Sequence, residues 1–381
     1  MDFELTEEHK ALRQTIREFG AAEIMPGAKE RDEAARFPHE LIPKMAELGL
    51  FGLMIPETCE GAGLDGVGAV IVIEELARAE AAVALIVASH NSLCAGHIFK
   101  FGNEAQRKKY LAPLARGEKL GAWALTEPTS GSDAGSLKTR ARLVKDSWVI
   151  RGEKLFTTQG STAGIYIIMA STEPSSGNRG ISAFIVERDT PGLVVGRVEN
   201  KLGVRASDTA QLHLEDARVP KENLLGELNR GFRDALTISI WQGGRIGIGA
   251  SAVGIARAAL EDSIKYARER RQFGKAIAEF EAIQWMLADM ATGIDAARLL
   301  VYRAARLRDQ GRPFTKAASE AKLFASEVAV KATNSAVQIH GGYGYMKDFA
   351  VERYFRDAKV CEIGEGTSEV QRLVIARELL A

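Results

Sequence analysis

The stretch WALTEPTSGSDAGS at residues 123–136 lies where the character of the sequence changes. Upstream of it, apolar residues recur at helical spacing, as in LTEEHKALRQTIREFG, where Thr6 is a candidate N-cap. Downstream, β-branched segments alternate with turn signals: SWVIRG, IYIIMAST, GISAFIVERD, GLVVGRV and AQLHLEDARV. The stretch therefore separates a helical region from a β region.

The helical period returns after the β region, and two long helices fit residues 280–310 and 315–340. The order all-α, all-β, all-α contains no alternating βαβ unit, so a doubly wound parallel sheet is not expected. We predict a multi-domain α+β fold in three parts: an N-terminal all-α domain at 1–120, a β-barrel or β-sandwich domain at 121–228 and a four-helix bundle at 229–381.

The chain is electrically balanced, with 50 Lys and Arg residues against 50 Asp and Glu residues. No net field therefore favours nucleic acid or an anionic membrane. Its cysteines, Cys59, Cys94 and Cys361, are too scattered for a disulfide framework, which indicates a reducing compartment. The N-terminus MDFELTEEHK lacks the features of a signal peptide, so we expect a cytoplasmic protein.

The most apolar stretch, AAVALIVASHNSLCAGHIF at 81–99, approaches the length of a membrane span. It carries His90, Asn91 and His97 and is rich in alanine, which favours a buried helix and no membrane insertion. The two histidines have no suitably spaced carboxylate between them, so we predict no metal site and place both in the core. No GxSxG, HExxH or P-loop pattern occurs, which excludes the commonest hydrolases and nucleoside triphosphatases.

Three stretches could bind a ligand or serve only the fold. QIHGGYGY (338–345) follows a helix, so its glycines end that helix or admit a ligand. WALTEPTSGSDAGS is either a polar loop or a cradle for a heterocycle or phosphate. KYARERRQFGK (265–275) is either a solvated face or a phosphate clamp. The residues alone leave all three open.

Near the C-terminus, VCEIGEGTSEVQRL (360–373) holds Glu365 between Gly364 and Gly366. Ser368 and Gln371 have the spacing of a capping box, which predicts a final helix immediately after the glutamate. A glycine-flanked acid in such a loop is most often a solvent-facing turn residue. Its role therefore also stays open on local grounds.

Taken together, these stretches resemble the acyl-CoA dehydrogenase family over essentially the whole chain. The resemblance is carried by WALTEPTSGSDAG, KLFTTQG (154–160), QIHGGYGYMKDFAVERYFRD (338–357) and IGEGTSEVQR (363–372). It implies FAD-dependent α,β-dehydrogenation of a saturated acyl-CoA to a trans-2-enoyl-CoA, with electrons passed to an electron-transferring flavoprotein. It also implies a homotetramer, built as a dimer of dimers, in which FAD is shared between subunits.

The resemblance implies that Glu365 is the base that removes the α-proton and that its backbone N–H is among the donors to the thioester carbonyl. Donors at that carbonyl are needed because charge develops there. An ordinary glutamate has a pKa of about 4.3, and burial could raise it toward about 6–7. The resemblance assigns FAD contacts to Trp123, Leu125, Thr126, Gly131, Ser132, Phe156 and Thr158. It assigns contacts to the ADP part of a neighbour's FAD to Arg270, Phe273, Gln338, Gly341 and Gly342, and contacts to the same cofactor to Thr367 and Glu369. It assigns substrate contacts to Ser132, Gln242, Arg245 and Gly366.

The chain departs from the family pattern at several positions. Gly244 stands before Arg245 where the isovaleryl-CoA branch carries its base, so the base cannot come from there. Straight-chain enzymes commonly have tyrosine where this chain has Gly364. The absence of that ring would widen the pocket and make room for a branched or cyclic acyl group. Trp241 precedes Gln242 in the substrate-facing turn, and Glu281 replaces a common glutamine.

Other substrates and functions can be weighed against this family. The helix expected at 82–99 has no Arg or Lys for a distal carboxylate, so a dicarboxylyl substrate is disfavoured. An acyl-CoA oxidase that uses oxygen is the alternative enzyme, and the length of the chain favours the dehydrogenase. A nucleic-acid-associated flavoprotein is a weaker alternative, because the chain carries no net positive charge.

Overall fold

A computed structural model describes residues 4–241 and 244–381. The N-terminal part is helical, and its first helix is capped by Thr6, whose side chain accepts a hydrogen bond from His9 N at 3.2 Å. Its helices are α1 (Glu7–Phe19), α2 (Ala28–Ala34), α3 (Ile42–Glu47), α4 (Gly66–Ala79), α5 (Ala81–Ser89), α6 (Gly96–Phe101), α7 (Glu104–Gln106) and α8 (Ala112–Ala115).

Helices α5 and α6 are joined by a π-helical segment, His90–Ala95, into the long apolar helix that the sequence predicts. Its length and composition would suffice to cross a membrane, but 83% of its most apolar window is buried inside the protein. Both His90 and His97 are fully buried, as predicted. The whole stretch from Ala81 to Phe101 is therefore a core helix of this fold.

The middle part is a β-sheet. Its strands are β1 (Gly121–Ala124), β2 (Arg140–Val144), β3 (Ser147–Thr158), β4 (Ile165–Ser171), β5 (Ile181–Glu187), β6 (Leu193–Val198), β7 (Thr209–Pro220) and β8 (Leu224–Leu225). They follow the order β6-β7-β3-β2-β4-β5-β8, with β1 paired to β4. Among the described strands, the β6-β7-β3-β2 half and the β4-β5-β8 half share one bridge pair, Arg140 with Ser171. The two halves pack against each other through an apolar cluster that includes Trp148, Phe184 and Leu212. The arrangement is that of a sandwich.

The C-terminal part is helical again, with α9 (Gly231–Trp241), α10 (Gly244–Glu269), α11 (Glu281–Asp309), α12 (Thr315–His340), α13 (Val351–Ile363) and α14 (Ser368–Leu380). A short hairpin, β9 (Arg271–Gln272) and β10 (Lys275–Ala276), links α10 to α11. Helix α12 packs against α10, α11, α13 and α14, and α10 also packs against α4. One apolar core therefore joins the first and last parts of the chain.

The predicted order of domains and the fold class are confirmed, and the two long predicted helices are present as α11 and α12. The boundaries at residues 120 and 228 stay a prediction. The sequence did not predict β1, β2 or α13. The capping box at Ser368 and Gln371 was wrong, because the N-cap of α14 is Thr367, whose side chain accepts a hydrogen bond from Val370 N.

Candidate active site

The loop between α13 and α14 carries Glu365 in an unusual backbone conformation. Helix α13 ends at Ile363, and Gly364 caps it by donating its N–H to the carbonyl of Val360. Glu365 follows with a φ of +57°, in the left-handed region that a residue with a Cβ rarely adopts. Such a conformation costs about 1–3 kcal/mol and persists only where the surroundings impose it. The half-buried glutamate is therefore held in place, which is typical of functional sites.

The two glycines beside Glu365 have different roles. Gly366 has a φ of +87°, and a Cβ there would lie 2.8 Å from Gln371 Nε2 and 3.2 Å from Val370 Cγ1. Gly364 has an ordinary φ of −66°, and a Cβ there would meet only the carbonyl oxygen of Val360, at 3.4 Å. Glycine is thus required at 366 by the fold of the loop, whereas position 364 has room for a side chain.

Two buried side chains hold the carbonyl groups of this loop. Gln371 Nε2 donates to the carbonyl oxygens of Glu365 and Gly366 at 3.0 and 2.9 Å. Lys322 Nζ, from α12, donates to the same Gly366 oxygen at 2.8 Å. Both side chains are fully buried. Lys322 was not predicted from the sequence, and Gln371 was predicted to cap α14, because their contacts depend on the packing of α12 against α14.

Arg245 lies close enough to Glu365 for their charges to interact. It is buried on the first turn of α10, and its Nη1 donates to Ser319 Oγ at 2.9 Å. Burial lowers the pKa of Arg245, and the attraction of Glu365 opposes that shift. Gly244, immediately before it, offers no base, and Gln242 lies outside the described residues.

The two stretches predicted to bind FAD, WALTEPTSGSDAG and KLFTTQG, lie side by side. Leu155 N donates to the carbonyl oxygen of Thr126 at 2.9 Å, and Lys154 Nζ donates to that of Leu125 at 3.1 Å. Lys154 is fully buried and also binds Glu127 Oε1 at 2.7 Å. Burial is the main cause that lowers the pKa of Lys154, to about 8. This ion pair was not predicted from the sequence, and it connects the first stretch to the second.

Some residues on these two stretches are exposed, and Trp123 is held by a hydrogen bond to a buried side chain. Phe156 has a φ of +53° and is 61% exposed, and Gly131 and Ser132 are also exposed. Trp123 is partly buried, and its indole Nε1 donates to His97 Nδ1 at 3.1 Å. Burial lowers the pKa of His97 to about 3, so its ring is neutral and accepts this bond. The exposed aromatic ring and the fixed indole suit a planar ligand.

A second candidate site is an open pocket of about 470 Å³ at the other end of α10 and α12. Arg270, Gly341 and Gly342 line it together, and a Cβ at either glycine would meet nothing within 4 Å. The Arg270 guanidinium lies over the ring of Tyr343, 5.3 Å from its centroid. A basic side chain beside bare backbone is suited to a phosphate group.

The other residues assigned to the ADP part do not line this pocket. Phe273 stands at the tip of the β9–β10 hairpin, 94% exposed and with a φ of +52°. Gln338 is exposed on the last turn of α12. Thr367 and Glu369, predicted to touch the same cofactor, lie instead at the start of α14, next to Glu365. Among the residues that the structure describes, no cluster of His, Cys, Asp and Glu could hold a metal ion.

Comparison with known proteins covers each part of this fold. Family models described as the N-terminal, middle and C-terminal domains of acyl-CoA dehydrogenase match residues 6–118, 122–217 and 227–380. The chain is 47% identical to the short-chain specific acyl-CoA dehydrogenase of Clostridium acetobutylicum over the full length of both. The solved butyryl-CoA dehydrogenase of Megasphaera elsdenii superimposes with a TM-score of 0.98 at 44% identity, with both chains covered completely.

A chain in a solved structure concerned with the electron transferring flavoprotein of Acidaminococcus fermentans matches equally well. The TM-score is again 0.98, at 46% identity and with 100% of both chains covered. Identity of this degree over all three domains leaves no part of the chain outside the match. The chain therefore belongs to the acyl-CoA dehydrogenase family.

Proposed function

We propose that Glu365 is the base of this acyl-CoA dehydrogenase and that FAD is held by residues from two copies of the chain. Dehydrogenation of an acyl-CoA, with transfer of the electrons to an electron-transferring flavoprotein, is the function of the family to which the chain belongs. The observation that supports Glu365 is its left-handed turn, fixed by buried donors and close to Arg245.

In the reaction, Glu365 takes the α-proton of the acyl group onto a carboxylate oxygen. The Cα–H and Cβ–H bonds break, a trans C=C bond forms, and the electron pair of the Cβ–H bond leaves as hydride. FAD, when bound, supplies the acceptor for that hydride. Because residue 366 has no side chain, the backbone N–H of Glu365 would have access to the thioester carbonyl, where negative charge develops.

The residues present fit FAD at two places. The flavin end would be bound by Trp123, Leu125, Thr126, Gly131, Ser132, Phe156 and Thr158, together with Thr367 and Glu369. Support for this end comes from the exposed ring of Phe156 and from the hydrogen bonds of Lys154 and Leu155 that join the two stretches. The ADP end would be bound by Arg270, Phe273, Gln338, Gly341 and Gly342.

The ADP end would belong to the FAD of a second copy of the chain. All residues that line the pocket at Arg270 lie in the C-terminal part of the chain, between residues 266 and 346, and none comes from the two stretches predicted to bind FAD. Two separate half-sites of this kind would be completed if copies pair, and we propose that two such pairs form the homotetramer, a dimer of dimers. We propose a cytoplasmic location for this assembly.

The substrate that we propose is a short acyl-CoA, in keeping with the names of the similar dehydrogenases. Ser132, Gln242, Arg245 and Gly366 would contact it. The room beside Gly364 would also admit a branch near Cα or Cβ, because a Cβ at that position meets only one atom of the chain.

The direct test is anaerobic mixing of the holoenzyme with butyryl-CoA while the flavin absorbance is followed. We expect rapid bleaching by the native enzyme and at least about 100-fold slower bleaching by Glu365→Gln, since a positioned base contributes about 10²–10⁴ in rate. Glu378→Gln, an exposed carboxylate on α14, is the matched control and should react normally. Normal bleaching by Glu365→Gln would overturn the assignment, and stoichiometric peroxide under air would replace the dehydrogenase by an oxidase.

A further inference from the structure

One face of α12 supports both charged groups of the active site. Ser319 accepts the hydrogen bond from Arg245, and Lys322, one turn later, donates to the carbonyl of Gly366. Residues three apart on a helix lie on the same side, so the two contacts are neighbours. Both Ser319 and Lys322 are fully buried. Helix α12 thus connects the Glu365 loop to Arg245.

The carbonyl of Gly366 is the point at which the loop is held. It accepts from Lys322 Nζ at 2.8 Å and from Gln371 Nε2 at 2.9 Å, while Gln371 also reaches the carbonyl of Glu365. These bonds act on the two successive residues with positive φ, Glu365 and Gly366. A backbone conformation that a glutamate does not favour needs such outside contacts to persist.

Burial of a lysine as a hydrogen-bond donor costs free energy, because a charged group must be removed from water. Burial chiefly lowers the pKa of Lys322, to about 8, and the charge of Arg245 lowers it further. Cys361, Glu362 and Glu365 act in the opposite direction. At neutral pH the amine is therefore still an ammonium, and its positive charge lies in the field of Glu365. A donor without charge would suffice for packing alone.

We infer that Lys322 is a positioning residue for the reaction, which with Gln371 clamps the Gly366 carbonyl and so aims the Glu365 carboxylate at the α-carbon. This inference rests on the proposed role of Glu365 as the base. It predicts that loss of the clamp slows proton removal while leaving the binding of the acyl-CoA intact. Misplacement of a reacting group by about 1 Å can lower a rate by about 10².

The test uses acetyl-CoA in D₂O, because acetyl-CoA has α-hydrogens but no β-carbon and so reports proton removal alone. Mass spectrometry follows deuterium entering the acetyl group at saturating acetyl-CoA. We expect Lys322→Met in the holoenzyme to exchange at least about tenfold more slowly than the native enzyme. Its flavin content and its Kd for acetyl-CoA should stay within about twofold of native, which a general loss of structure would not allow.

Lys331→Met is the matched control, since Lys331 lies on the same helix with its side chain 76% exposed. It should exchange at the native rate. Gln371→Leu removes the other donor and should show the same defect, which keeps the test informative if Lys322→Met does not fold. Native exchange in both variants would overturn the clamp alone. Absence of exchange in the native holoenzyme would overturn the role of Glu365, and the clamp with it.

Discussion

The proposed active site has a base end, which is the loop of Glu365, and an ADP end, which is the pocket at Arg270. The two ends differ in how completely a single chain forms them. At the base end, the loop of Glu365 is fixed by Lys322 and Gln371, both fully buried within the same chain. At the ADP end, the pocket at Arg270 is open and the ring of Phe273 is 94% exposed. The base end is therefore supported by buried contacts within one chain, whereas the ADP end is an open surface.

This difference has a physical reason. A base must be aimed to within a fraction of an ångström, so it needs rigid contacts that do not depend on assembly. A phosphate group can be held by a charged side chain and bare backbone at a surface, which a second copy can then cover. The comparison predicts that substitutions at the base end affect rate, and that substitutions at the ADP end affect cofactor retention.

The largest effect is expected for Gly366→Ala at the base end. The added Cβ would lie 2.8 Å from Gln371 Nε2 on a backbone with positive φ, so the turn that carries Glu365 must move. We expect kcat to fall about 100-fold with normal FAD content. Steady-state rates with an electron-transferring flavoprotein as acceptor measure this.

The control for that prediction is Gly364→Ala, where the backbone is ordinary and the nearest atom is 3.4 Å away. It should keep kcat within about twofold of native, because the added Cβ makes only an ordinary van der Waals contact, with the carbonyl oxygen of Val360, and the turn need not move. Equal losses in the two alanine variants would contradict the separate roles of the two glycines.

A smaller effect is expected for Arg270→Ala at the ADP end. Hydrogen bonds to a charged group contribute about 1.5–3 kcal/mol, so the Kd for FAD should rise about 10- to 100-fold. The kcat of the FAD-saturated variant should stay near native. Equilibrium dialysis with FAD measures the affinity, and Arg271→Ala, exposed on β9, is the matched control. A lower kcat with unchanged FAD affinity would show that Arg270 affects the reaction rate and not the retention of the cofactor.

The smallest effect is expected for Gly364→Tyr, which fills the room beside the base without straining the backbone. We expect kcat/KM for isobutyryl-CoA to fall about tenfold relative to that for butyryl-CoA, the size of a one-methylene discrimination. A panel of acyl-CoA substrates measures the ratio. An unchanged ratio would show that position 364 does not border the acyl group.

The sequence predicted those parts of the molecule whose signals are local. The clean helical periods at 280–310 and 315–340 appear as α11 and α12, and Thr6 caps α1 as expected. Strand β1 was missed because GAWA is too short and too rich in alanine to show an alternation. The cap of α14 was placed one residue late because Thr367 and Ser368 are both good caps.

The supporting residues of the site could not be predicted from the sequence. Lys322 lies in AKLFASEV, where a lysine in an alanine-rich helix is typical of an exposed face. Its burial results from the packing of α12 against α10, α13 and α14, which involves residues far apart in the sequence. The same holds for the pair of Lys154 and Glu127, which lie 27 residues apart.

In the proposed assembly, one chain completes the base end and a second copy completes the ADP end. Co-expression of Glu365→Gln and Arg270→Ala chains tests it most directly, with activity measured at an FAD concentration too low to saturate Arg270→Ala. In mixed pairs, the Glu365 of one chain would work with the Arg270 of the other, so random pairing predicts recovery of about a quarter of native activity. Activity no higher than the sum of the two separately purified variants would contradict the sharing of FAD between copies.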